Sequence, residues 1–194
     1  MLDGDRSGRW SVTSSYASHA TLATMTTEDL RSDLDRLADA RAAYAALAQR
    51  VAAGEPWPLA AAFGTEPEAS WGPREVLAHV AEMLPFWLGE LERVVDGDGD
   101  TTVPFGRIAD DASRIGLIAR DRSLPLRVLF ARIDAGLGAW LDRLPSLTDT
   151  DRAKVGRHPR LGEMPVGAIA ERFVIGHADE HVVQLGSILA AAGR

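Results

Sequence analysis

The chain contains no cysteine. That absence excludes disulfides, thiolate nucleophiles and cysteine-based zinc sites together, and it agrees with a reducing, cytoplasmic setting. Any bound metal must therefore be held by His, Asp or Glu. Long apolar runs are missing as well: charges, Gly or Pro interrupt each one before the ~20 residues that span a bilayer, so no membrane association is expected. There is no basic excess either, since 28 Asp and Glu outweigh 21 Lys and Arg for a net charge of −7. Long-range attraction to phosphate backbones is absent on that balance, and nucleic acid is not an expected partner.

What is present suits one domain, because 194 residues of which 46% are hydrophobic can bury a continuous core. The opening stretch is rich in Ser, Thr and Gly and lacks the compact apolar centre of a signal peptide, so residues 1–25 read as a disordered extension before a bundle domain over residues 26–194. Translation from Met25 fits this division, since Thr26 or Thr27 followed by Glu28 and Asp29 opens a helix at once.

Apolar side chains then recur at three and four residues in four long segments. The first runs from about Thr27 to Val51 through Leu30, Leu34, Leu37, Tyr44 and Leu47. The second starts at Ser70 to Pro73, with Ser70 as cap, and reaches about Val95, its inner stripe holding Val76, His79, Val80, Met83, Trp87, Leu91 and Val94. Pro85 lies inside it and predicts a kink near Ala81. After the acidic turn from Asp96 to Thr102 and a short helix within Arg107 to Arg120, the third runs from about Ser123 to Leu144. Pro145 to Pro165 reads as a loop. The last helix, from about Val166 to Ala192, turns Ala170, Phe173, His177, His181, Gln184 and Ile188 inward. With no alternating strand and no repeat, the expected architecture is all-α, a four-helix bundle with a long crossover connection.

Two imidazoles four residues apart on a helix stand one turn apart on the same face and can share one ion. His177 and His181 have that spacing, on a stripe that faces the core, where an unpartnered polar ring costs roughly 1–3 kcal/mol. His79 reaches the same core from the second helix, so one divalent ion can take three imidazoles and keep a position for water or substrate. The competing reading pairs these rings with Glu82, Asp179 or Glu180. HADEH, residues 177–181, also fits the H-x-x-E-H pattern of inverted zincins, but only thirteen residues come after it and the third ligand of that class lies far downstream. His19 and His158, in a tail and a loop, receive no role.

WGPREVLAHVAEM, which carries His79, and ERFVIGHADEHVVQL, which carries His177, His181 and Gln184, together make the chain resemble the DinB-like superfamily over about Leu30 to Ala192. The resemblance implies a four-helix bundle of unusual helix order, a three-histidine site of His79, His177 and His181 for nickel, zinc, iron or manganese, and a homodimer. It also implies, for some relatives, transferase or isomerase chemistry with a small thiol such as mycothiol or bacillithiol.

The expected function is accordingly transfer of a low-molecular-weight thiol to a small organic electrophile, the ion lowering the pKa of the sulfur. The alternatives are hydrolysis, with Glu180 or Glu82 as proton acceptor, and a metal-binding stress-response bundle without chemistry. Glu180 and Gln184 are the expected catalytic side chains, Gln184 bonding the ligand or a water, with ring orientation and an interhelical bond as their plainer roles. Helical period places Val76, Glu82, Met83, Phe173, Val174, Glu180 and Gln184 around the ligands, which predicts a mostly apolar cavity for a small molecule.

Overall fold

A computed structural model describes residues 27–60, 68–99 and 101–193. The expected extension before Met25, and His19 within it, lie outside the described residues. The first helix, α1 (Thr27–Ala53), ends at Gly54. A single helical turn at Glu68–Ser70 precedes α2 (Pro73–Val95). The residue before α2 is Gly72 rather than the expected Ser70, and its N–H donates to Glu75 Oε2 at 3.2 Å. Glu75 is wholly buried and also accepts from Ala60 N and Arg122 Nη1, which ties the incoming chain to the helix start. α2 runs unbroken through Pro85, where the missing N–H removes one ladder bond without ending the helix.

After α2 come β1 (Val103–Pro104) and α3 (Ala112–Asp121), which starts later than the sequence predicts because Asp111 caps it through the N–H groups of Ser113 and Arg114. α4 (Leu126–Arg143) comes next, burying Leu129, Ile133, Leu137 and Trp140 as its period requires. The segment read as a plain loop is more ordered than that: it contains α5 (Asp149–Ala153), capped by Thr148, then β2 (Val155–His158) and β3 (Gly162–Pro165). β1 pairs parallel with β2, and β2 antiparallel with β3. Strands of two to four residues are too short for an alternating pattern to register.

The last helix is composite. α6 (Val166–Ala170) passes into a π-helical turn at Glu171–Ile175 and then into α7 (Gly176–Ala191). One residue too many in that turn rotates the rest of the helix, so the buried stripe is Val174, Ala178, His181, Leu185 and Leu189. Phe173, His177, Gln184 and Ile188, expected inward, sit instead at the edge of that stripe and stay half-buried.

The fold is a four-helix bundle made by α1, α2, α4 and the α6–α7 rod. α1 packs on α4 and α7, and α2 packs on the same two, so α1 and α2 occupy one diagonal and α4 and α7 the other. α2 and α4 approach closely at Gly136, where a Cβ would come 2.8 Å from Leu84 Cβ. Trp140, fully buried beside this crossing, donates its indole N–H to the Leu84 carbonyl at 3.0 Å. Among the described residues no helix is long and apolar enough to cross a membrane.

Candidate metal centre

α2 and α7 are neighbours in the bundle, and their histidines meet between them. His79 Nε2 lies 2.9 Å from His177 Nε2, and His177 Nε2 lies 3.0 Å from His181 Nε2. Nitrogens bound at about 2.1 Å to one ion stand roughly 3.0–3.4 Å apart, depending on the angle between them, so these separations fit a shared ion. Glu68, on the turn before α2, brings a carboxylate to the same place, and one ligand atom from each of the four residues falls within 4.8 Å of all the others.

The protonation states point the same way. Burial, reinforced by the neighbouring imidazoles, holds His79 well below the usual histidine range and His177 down to about 3. His181 is lowered by burial too, against an opposing hydrogen bond to Gln184. All three rings are therefore neutral at neutral pH and each offers one lone pair.

Gln184 settles which nitrogen of His181 offers it. Its amide nitrogen donates to the Glu68 carbonyl at 2.9 Å, so its oxygen is the acceptor in the 2.7 Å contact with His181 Nδ1. Nδ1 then carries the hydrogen, and Nε2 turns its lone pair to the cluster. A cluster of Nε2 lone pairs repels itself unless a cation or a proton lies between. His79 Nδ1, in turn, is buried with no hydrogen-bond partner among the described residues. A ring fixed in that way by hydrophobic surroundings, Trp71 edge-on at 5.6 Å included, fits a ligand whose interaction energy comes through its other nitrogen. The donor set suits a borderline divalent ion of the nickel, zinc, iron or manganese group.

The two carboxylates expected as proton acceptors stand elsewhere. Glu180 is three-quarters exposed on the outer side of His177, 3.6 Å from Nδ1 and so beyond hydrogen-bond reach of that neutral ring, and it does not line the cavity. Glu82 is buried, and both its oxygens accept from Arg107 Nη2, at 2.5 and 2.6 Å. Asp179 pairs with Arg36, which also binds Glu171 and so anchors the π turn to α1. Gln184 reaches His181 and the Glu68 backbone, which is the interhelical role.

Beside the histidines lies a cavity of about 240 Å³. Helical period put Val76 and Met83 around it, yet both are wholly buried in the core. Loops form much of its wall. Trp87 stacks on Phe173 at 4.0 Å, and Phe173 on His158 at 5.2 Å. His158, given no role from sequence, is 5% exposed; its Nε2 donates to the Arg107 carbonyl at 3.1 Å, and its Nδ1 accepts from the N–H groups of Arg160 and Leu161. That pattern joins the β2–β3 turn to the segment after β1. Gly106 makes the join possible: its φ is +78°, and a Cβ there would come 2.5 Å from the His158 ring.

The sequence pattern of the DinB superfamily matches residues 19–185. Among solved structures, the chain is similar to YfiT from Bacillus subtilis, described as a probable metal-dependent hydrolase with an unusual four-helix bundle topology. The TM-score is 0.70 at 15% identity, covering 91% of this chain and 94% of that one. No curated protein matches the sequence.

Proposed function

This chain belongs to the DinB superfamily, and from that premise we propose that it is a metal-dependent hydrolase acting on a small organic substrate. The observation that carries the reading is the convergence of three neutral imidazoles and Glu68 in one cluster, of which His79, His177 and Glu68 line the wall of a cavity. The description of YfiT as a probable metal-dependent hydrolase supports it.

His79, His177 and His181 would hold the ion, which when bound supplies Lewis acidity toward water and a carbonyl group. The remaining work falls to the protein. Gln184 keeps His181 in the Nδ1–H tautomer and, through the Glu68 carbonyl, keeps the turn that carries Glu68 in register with α7. Arg114 holds Glu68 Oε1, while Oε2 has no partner among the described residues and is the atom that takes the proton from an attacking water. Phe173 and Trp87 exclude bulk water from the far wall and bind the apolar part of the substrate.

Turnover of simple esters and amides by the metal-loaded protein, lost after chelation and regained on reloading, is the expected result. The thiol-dependent transfer expected from sequence is separated by titrating cobalt-substituted protein with low-molecular-weight thiols. A sulfur-to-metal charge-transfer band, with no hydrolysis of esters or amides, would replace the hydrolytic reading with the transferase one.

A further inference from the structure

The cavity is lined by three arginines, Arg107, Arg114 and Arg160, in a chain whose overall charge is negative. Two of them are already answered. Arg107 is buried against Glu82 and also lies 3.7 Å over the Phe86 ring, and Arg114 is buried against Glu68. The guanidinium of Arg160 has no carboxylate within ion-pair distance among the described residues, although acidic side chains outnumber basic ones in the chain. Its backbone is held, since the N–H donates to His158 Nδ1 at 3.2 Å, and the residue, though exposed, is one of those that line the cavity.

The cavity thus offers one uncommitted guanidinium, a wall of stacked rings and, at the far side, the histidine cluster. A planar fork of N–H donors is matched by a carboxylate more closely than by any neutral group. A cationic substrate would meet like charge. At about 240 Å³ the space is below the ~300–1,000 Å³ of pockets for drug-sized molecules, which favours a small molecule over a nucleotide or a peptide.

We propose that the substrate is a small organic acid, its carboxylate paired with Arg160 and its apolar body lying along the Phe173 and Trp87 wall. The assignment rests on the hydrolytic reading of the site for the bond that is broken. It does not rest on it for the binding of the acid itself.

The test is calorimetric binding of benzoate and of its neutral counterpart benzamide, to metal-loaded and to chelator-stripped protein, in the wild type and in Arg160→Gln and Arg160→Lys. Benzoate should bind about tenfold more tightly than benzamide with or without metal. Arg160→Gln should abolish that preference, and Arg160→Lys should retain part of it. Equal affinities in the wild type, a preference that disappears on stripping the metal, or one that survives Arg160→Gln would each overturn the proposal. So would tighter binding of phenyl phosphate than of benzoate. Kinetics then separate the two readings. If benzoate binding depends on Arg160 but no ester is hydrolysed, the hydrolytic reading fails and the acid site stands. If phenyl acetate and its para-carboxylate derivative are hydrolysed with equal kcat/KM and Arg160→Gln changes neither, the acid site fails and hydrolysis stands.

Discussion

The side-chain amide of Gln184 reaches the backbone of Glu68 and not its carboxylate: its N–H donates to the Glu68 carbonyl at 2.9 Å, and its oxygen receives His181 Nδ1–H at 2.7 Å. One side chain therefore orients a metal ligand and fixes the turn that brings a carboxylate to the same cluster. Gln184→Leu should lower affinity for a divalent ion by about 10–100-fold while leaving the helical content intact, as loss of a ligand's supporting bond does elsewhere. Competition against a chelating dye reads the affinity. An unchanged value would remove Gln184 from the site.

Elemental analysis should find close to one divalent ion per chain in the wild type and far less in His177→Ala or His181→Ala. The ion should also raise the unfolding temperature of the wild type, and not of those variants, because it binds only the folded arrangement. An equally loaded double variant would dismiss the cluster as the binding site.

Glu68→Gln keeps the shape and the hydrogen bond to Arg114 but cannot accept a proton at Oε2. The expected outcome is near-normal metal content with turnover reduced by about 100-fold or more. Undiminished turnover would assign the proton transfer to another group.

Asp33 on α1 gives a pH test remote from the histidines. Burial first, and Glu171 second, push its carboxyl up to about 6. The folded value exceeds the unfolded one, so the native state holds the proton to higher pH. The associated stability is fully present below about pH 4 and is lost as the pH rises through about 6. Asp33→Asn should therefore stabilise the protein at pH 8, by about 1 kcal/mol after solvent screening, and change little at pH 4. Urea denaturation at the two pH values measures the difference, and a uniform effect would refute the assignment.

Two glycines should respond oppositely to alanine. At Gly89 nothing lies within 4 Å of an added Cβ, and the gain in helix propensity, up to about 1 kcal/mol, is unopposed. At Gly136 the new atom would meet Leu84 Cβ, which is fixed to its backbone, and overpacking of about 1–3 kcal/mol outweighs the same gain. Thermal unfolding of the two variants decides the matter; a stabilised Gly136→Ala would mean that α2 and α4 can part at small cost.

The three histidines were legible as one cluster because the pair four residues apart and His79 lie on long helices, although His177 sits at the edge of the buried stripe. Glu68 was not, since a single turn has no period to read. Nor were Arg107, His158 and Arg160, which loops and short strands bring to the cavity through hydrogen bonds between distant segments. The inner stripe of the last helix was misplaced at Phe173, His177, Gln184 and Ile188 for a different reason. An inserted π turn adds a residue without altering composition, and every position beyond it rotates. Bundle class survived both effects, because it depends on four apolar faces and not on their exact register.

The diagonal placement of α1 and α2 bears on how the chain folds. Successive helices in an up-and-down bundle can pair as soon as they are made, but α1 has no adjacent partner until α4 exists and is completed only by α7. Among the four bundle helices the earliest pairing open to the chain is α2 with α4, linked by the β1 and α3 segment and closed by the Leu84–Gly136 contact. α1 must wait as an unpaired amphipathic helix. Loop-closure entropy then sets the pace, and the site between α2 and α7, whose ligands are 98 residues apart, assembles only in the final docking step. In kinetic terms, substitutions at Gly136 should slow refolding, whereas those at His181 should leave the refolding rate of the metal-free chain unchanged.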